Sequence, residues 1–308
     1  MKNKIYLLLA LILVLSVFTG CSGKSDTNDE GFRVITTTTM LADMARVIGG
    51  ESVQVEGLMG PGIDPHLYKA SAGDVTKMQR ANMVVFNGLH LEGKMGEIFE
   101  SLQGGSQVVV EIAKGINGSD LIMIDDSSSL HDPHIWFNVL LWKDAAKVLL
   151  DGFIELDPEN EVLYNKNYQA YILELDDLNK YVLDRANELE ESKRVLVTAH
   201  DAFSYFGQAY GFEVMGLQGI STASEAGTGD VRDLATYIAT NEIKAIFVES
   251  SVPRKNIEAL QEAVAAQGFN VEIGGELFSD SLGSPGTSAD TYIGTVKANV
   301  DTIVDALK

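Results

Sequence analysis

Five histidines are spread along the 308 residues, and three of them sit in settings that suit metal coordination. His66 lies in Gly62-Ile63-Asp64-Pro65-His66-Leu67-Tyr68. His134 lies in His131-Asp132-Pro133-His134-Ile135-Trp136-Phe137-Asn138. His200 lies in Thr198-Ala199-His200-Asp201-Ala202-Phe203. A carboxylate in a comparable setting, Asp280, lies in Glu276-Leu277-Phe278-Ser279-Asp280-Ser281. Three imidazoles and one carboxylate suit Zn2+, which takes nitrogen and oxygen ligands in tetrahedral geometry. The single Cys, Cys21, stands near the start of the chain, so no thiolate serves a soft ion such as Cu(I). Taken one at a time, a His beside a strand is more often a hydrogen-bonded structural residue than a ligand. The repeated Asp-Pro-His is less ordinary, because proline fixes the backbone beside the imidazole and would hold it stiffly.

Other chemical patterns fail on spacing. His131 and His134 are three apart, but Pro133 between them opposes a helix that would put both on one face. His90, in Gly88-Leu89-His90-Leu91-Glu92, reads as a polar residue at a cleft rim. Gly23-Lys24-Ser25 resembles the tail of a phosphate-binding loop, yet Phe18 stands where that loop needs glycine. Neither His-Glu-x-x-His nor Gly-x-Ser-x-Gly occurs.

The elements that must position these residues alternate in type. Strands are predicted at 33–39, 53–58, 83–86 and 107–112, with helices at 40–48, 74–80 and 94–102. The second half repeats the theme, with strands at 194–198, 213–217, 244–248 and 270–273 and helices at 230–240 and 255–267. Such alternation predicts a parallel sheet covered by helices, here twice. Between the halves, Tyr164, Tyr168, Tyr171, Leu175, Leu178 and Val182 recur at helical spacing, with Asp157 as a cap and Pro158 in the first turn. This predicts one helix of about 30 residues, about 45 Å long. A stiff connection of that kind limits hinge motion. The fold class is therefore α/β: two βα lobes joined by one long α-helix, with the candidate metal site in the interlobe cleft. His66, His200 and Asp280 follow strands, which is where open α/β sheets bind ligands.

The chain is acidic, with 44 Asp and Glu against 23 Lys and Arg and a net charge of −21. Such a surface disfavours nucleic acid and anionic lipid and draws cations toward a cleft. Lys2 and Lys4 precede an apolar run from Ile5 to Leu15, followed by Phe18-Thr19-Gly20-Cys21. This describes an export signal ending in a stretch that resembles a bacterial lipobox, with Cys21 lipidated. The expected organisation is a signal peptide at 1–20, the lipidated cysteine and a polar tether at 21–32, a first lobe at 33–157, the linker helix at 158–193 and a second lobe at 194–308.

On Asp64-Pro65-His66, the run from His134 to Asn138, the run from Thr198 to Phe203 and the run from Gly274 to Asp280, the chain resembles a known family. It is similar to the metal-binding receptor lipoproteins of ABC importers, the zinc and manganese group of solute-binding proteins. The resemblance covers essentially the whole mature chain. It implies His66, His134, His200 and Asp280 as ligands of one transported Zn2+ or Mn2+. It implies an ABC permease and its ATPase subunit as partners, and a monomer held by Cys21 on the extracytoplasmic face of the cell membrane. It implies a receptor and no enzyme. Manganese-dedicated members usually carry Glu at the third position, where this chain has His200, which favours zinc. Zinc-dedicated members often have a His-rich loop before the second ligand, whereas residues 117–132 here hold only His131. Three histidines alone would also fit a zinc hydrolase, which keeps one position open, and Asp280 closes that position. An adhesive surface lipoprotein is a third class, for which the sequence offers no argument. Three histidine ligands would make affinity fall steeply below about pH 6.

Overall fold

The computed structural model describes residues 31–124 and 129–308. The expected signal and Cys21 lie outside the described residues. In the first half β1 (Phe32–Thr36), α1 (Thr39–Gly49), β2 (Val53–Gly57), α2 (Ala72–Arg80), β3 (Met83–Phe86), α3 (Gly96–Leu102) and β4 (Val108–Glu111) alternate. Their strands form one parallel sheet in the order β2-β1-β3-β4. Strand β1 includes Phe32, which the sequence placed in the tether. Thr38 caps α1 by accepting from the Leu41 amide, so the Thr-rich run turns into helix after Thr36 instead of remaining strand to residue 39.

Two long helices follow, α4 (Val139–Leu156) and α5 (Glu161–Ala186). Helix α4 was not read from the sequence. Nine of its 18 residues are buried, and Asp144, Lys147, Asp151 and Glu155 form an exposed polar stripe at helical spacing, so its period was there to be read. The predicted linker helix is shorter than 158–193. Pro158–Asn160 is a 3-10 turn, and Asp157 makes no side-chain cap. Its carboxylate instead accepts from Tyr164 at 2.8 Å and Asn160 at 2.7 Å. At the other end the Arg194 guanidinium donates to the Leu189 carbonyl and to Asn187, and the chain turns there. The 26 residues of α5 span about 39 Å.

The second half contains β5 (Val195–His200), α6 (Ser204–Tyr210), β6 (Glu213–Gln218), α7 (Thr228–Thr240), β7 (Ala245–Glu249), α8 (Lys255–Ala265), β8 (Glu272–Leu277) and α9 (Tyr292–Leu307). Here the parallel strands pair as β5 with β6 and β7 with β8. Helix α5 buries Tyr164, Tyr171, Leu175, Leu178, Val182 and Ala186 in a core that extends from α1 and α4 to α9. Trp142 of α4 donates to the Tyr171 hydroxyl at 3.0 Å and stacks on Tyr292 of α9. The Tyr292 hydroxyl donates to the Trp136 carbonyl at 2.7 Å, two residues from His134. The same packing that joins the two halves therefore fixes the backbone beside a candidate ligand.

Candidate metal centre

Each candidate ligand leaves its scaffold by a short, tightly bonded segment. His66 ends a turn beyond β2. There the Asp64 carboxylate accepts from the His66 amide at 2.8 Å. His134 ends an equivalent turn, in which Asp132 Oδ1 accepts from the His134 amide at 2.9 Å and sits 2.7 Å from its Nδ1. His200 is the last residue of β5, within the strand and not after it. Its amide donates to Glu249 Oε1 at 2.9 Å, and its Nδ1 lies 2.5 Å from Glu249 Oε2 at the end of β7. Asp280 follows β8, where Ser251 donates to its Oδ2 at 3.0 Å.

These segments bring all four predicted residues together. His66, His134, His200 and Asp280 each offer one ligand atom within 4.8 Å of the others, and all four are buried. His66 Nε2 lies 3.2 Å from His134 Nε2. Asp280 Oδ1 lies 3.6 Å from His134 Nε2, and Asp280 Oδ2 lies 3.5 Å from His200 Nε2. Two ligands of a tetrahedral ion, each about 2.1 Å from it, stand about 3.4 Å apart. The donor set thus has the spacing of one small ion. Among the described residues, His200 Nε2 and Asp280 Oδ1 are buried with no hydrogen-bond partner, a costly state in a dry interior that a cation would relieve.

The electrostatics divide the histidines. Burial, reinforced by His134 and His200 and opposed by Asp280, lowers the His66 pKa to about 3. Burial also works against charge on His200, yet Glu249 and then Asp280 outweigh it and raise its pKa well above the usual value. Burial opposes the Asp280 charge as well, but His200, His66 and His134 hold its carboxyl well below the usual carboxylate range.

The remaining histidines stay apart. His90 and His131 line a separate cavity of about 320 Å³ at the ends of β3 and β4. His131 pairs with Met123 in an isolated bridge. Sequence reasoning missed the residues that orient the ligands. Asp132 stands inside the His134 motif, whereas Glu249 and Ser251 lie in no motif that the sequence marks. The available signal was Glu249 itself, a carboxylate closing the apolar strand Ala-Ile-Phe-Val.

Two parallel βα halves on a long shared helix, with a buried three-histidine, one-carboxylate cluster between their loops, define a metal-binding substrate-binding protein. The comparison with protein families agrees. Residues 34–306 match the family described as zinc-uptake complex component A, periplasmic, and the chain belongs to that family. The zinc-binding protein TroA of Treponema pallidum is 48% identical over 302 residues, covering 97% of each chain. The manganese-binding lipoprotein MntA of Bacillus subtilis is 42% identical over 306 residues, covering 98% of this chain and 99% of that one. The solved structure of the periplasmic zinc-binding protein TroA matches with a TM-score of 0.88 at 50% identity, covering 90% of this chain and 99% of that one.

Proposed function

We propose that this protein is an extracytoplasmic receptor that captures one Zn2+ through His66, His134, His200 and Asp280 and delivers it to an ABC permease powered by its ATPase subunit. The observation that carries this reading is the set of four buried donor atoms within 4.8 Å of one another. A donor set of three nitrogens and one carboxylate favours zinc over the oxygen-preferring Mn2+. Manganese is the second reading, and the 42% identity to a relative named for manganese supports keeping it. The lobes at 33–157 and 194–308 contribute two ligands each, so the ion would clamp them together. Cys21 would carry the lipid that keeps the receptor at the membrane.

The physical task is reversible capture. Asp132 and Glu249 would hold the His134 and His200 rings with Nε2 facing the ion. The acidic exterior would concentrate cations near the cleft. Four protein ligands leave no open position for a reactive water, which separates this site from that of a zinc hydrolase.

Elemental analysis of the purified protein, repeated after chelation and reloading, tests the proposal. One tightly bound equivalent with zinc preferred over manganese is expected. Metal-dependent hydrolysis of an ester or phosphate, or two tight equivalents, would overturn it.

A further inference from the structure

The end of β7 supplies no candidate ligand, yet its last residue and a residue just beyond it each hold one. Glu249 bonds His200 through both carboxylate oxygens. Two residues later Ser251 donates to Asp280 Oδ2 at 3.0 Å. Ser251 Oγ also lies 2.9 Å from Ser279 Oγ. A hydroxyl has one proton, and that of Ser251 is committed to Asp280. The second contact therefore runs from Ser279 to Ser251. The two hydroxyls form a chain directed at one oxygen of the carboxylate, and each link strengthens the next.

The other oxygen has the opposite surroundings. Asp280 Oδ1 is buried without a partner. Both oxygens face the imidazoles at nearly equal range, 3.6 Å for Oδ1 to His134 and 3.5 Å for Oδ2 to His200. Distance alone leaves one-oxygen and two-oxygen coordination equally open. The choice between them decides whether the ion has four ligand atoms or five.

We propose that Ser251 is a specificity-determining positioning residue, whose hydrogen bond occupies Asp280 Oδ2 and leaves Oδ1 as the single metal-binding oxygen. An oxygen that already accepts a hydrogen bond has less charge to offer a cation, whereas the unpartnered one is a full-strength ligand. A site held to three nitrogens and one oxygen suits zinc. Manganese prefers more oxygen ligands and loses by the restriction. This inference rests on the receptor reading above and adds to it how the site discriminates.

The test is competitive titration of the stripped protein with Zn2+ and Mn2+, together with the visible absorption of the Co2+-loaded form. The original chain, Ser251→Ala and Ser251→Thr are compared. The original chain should give the intense bands of four-coordinate cobalt. Ser251→Ala should lower the zinc-to-manganese affinity ratio about tenfold, the size of one hydrogen bond to a charged group. Its cobalt bands should weaken toward the five-coordinate pattern. Ser251→Thr keeps the hydroxyl and should restore both signatures. An affinity ratio in Ser251→Ala within twofold of the original, or five-coordinate cobalt already in the original chain, overturns the inference while leaving the receptor reading intact. An original chain that binds no metal overturns both.

Discussion

The two Asp-Pro-His turns share a sequence and differ in what their carboxylates do. In both, the Asp accepts from the His amide two residues on, which fixes the backbone in the same way. Asp132 then turns the same oxygen to its own imidazole, 2.7 Å from His134 Nδ1. Asp64 instead directs its second oxygen away from His66 and accepts from Thr222 at 2.5 Å, in the loop between β6 and α7. The surroundings diverge likewise. His134 is followed by the buried Ile135, Trp136 and Phe137, whereas Ile63 and Leu67 beside His66 are 41% and 49% exposed. One turn fixes a ligand in the core. The other ties His66, itself buried but flanked by exposed residues, to the opposite half of the molecule.

The largest effect expected is from removing the core ligand. Structural zinc sites gain about 10–16 kcal/mol from four ligands, so one ligand is worth about 3 kcal/mol. His134→Ala should weaken zinc about a hundredfold or more by titration. His66→Ala leaves both carboxylate-held imidazoles and Asp280 in place and should cost less. Equal losses would erase the distinction between the two turns.

Next come the carboxylates. A partner that orients a ligating imidazole is worth about 10–100-fold in metal affinity. Asp132→Asn should fall in that range, and Glu249→Gln with it. Asp64→Asn keeps an oxygen to accept from the His66 amide and touches no imidazole, so its effect on equilibrium affinity should be smaller than either. The sharpest outcome is a clear ranking of Asp132 above Asp64 in the same assay.

Proton competition sharpens the contrast between the histidines. His66, with its pKa lowered to about 3, carries no proton to displace at neutral pH. His200, raised well above the usual value, does. Zinc affinity should therefore rise with pH through the neutral range, by about tenfold per unit for each proton displaced. The sign for stability follows from the same group. A raised His200 pKa stabilises the metal-free fold fully below its unfolded value, and that contribution fades as pH rises through the folded one. The gap in melting temperature between loaded and metal-free protein should widen with rising pH. The sequence alone predicted three competing protons and a collapse below about pH 6. A flat affinity from pH 8 down to about pH 5 would contradict both accounts.

The four clustered residues were legible because their motifs are local. Asp-Pro-His and a His at a strand end can be seen without knowing the fold. Two of their supports were not, since Glu249 reaches His200 across 49 residues and Ser251 reaches Asp280 across 29. The alternating elements were legible from period alone. Helices α4, α6 and α9 were not read, and α6 has only seven residues, too few to show a period. α4 carries a regular polar stripe through Asp144, Lys147, Asp151 and Glu155 and was readable, whereas α9 buries Thr295 and Asn299 on its core side, which breaks the apolar pattern. Asn299 has a structural use, bonding both the amide and the carbonyl of Phe278 and so fixing the approach to Asp280.

The smallest effect concerns the link between the His66 turn and the far loop. Thr222 stands 158 residues from Asp64 in sequence, and their hydrogen bond is partly buried. Thr222→Val keeps the shape and removes the hydroxyl. Loss of one such bond costs about 0.5–1.5 kcal/mol, or about two- to tenfold. Asp64 is not itself a candidate ligand, and its bond to the His66 amide survives the change. The loss should therefore appear in how long the ion is retained and hardly at all in how fast it is captured. A stopped-flow chase with excess chelator measures retention directly, and zinc release should accelerate about two- to tenfold. Asp64→Asn combined with Thr222→Val should add little to the larger single effect, because both changes break the same bond. Unchanged release in Thr222→Val would mean that this bond does not restrain the ion, and that the two turns differ only in how deeply each is buried.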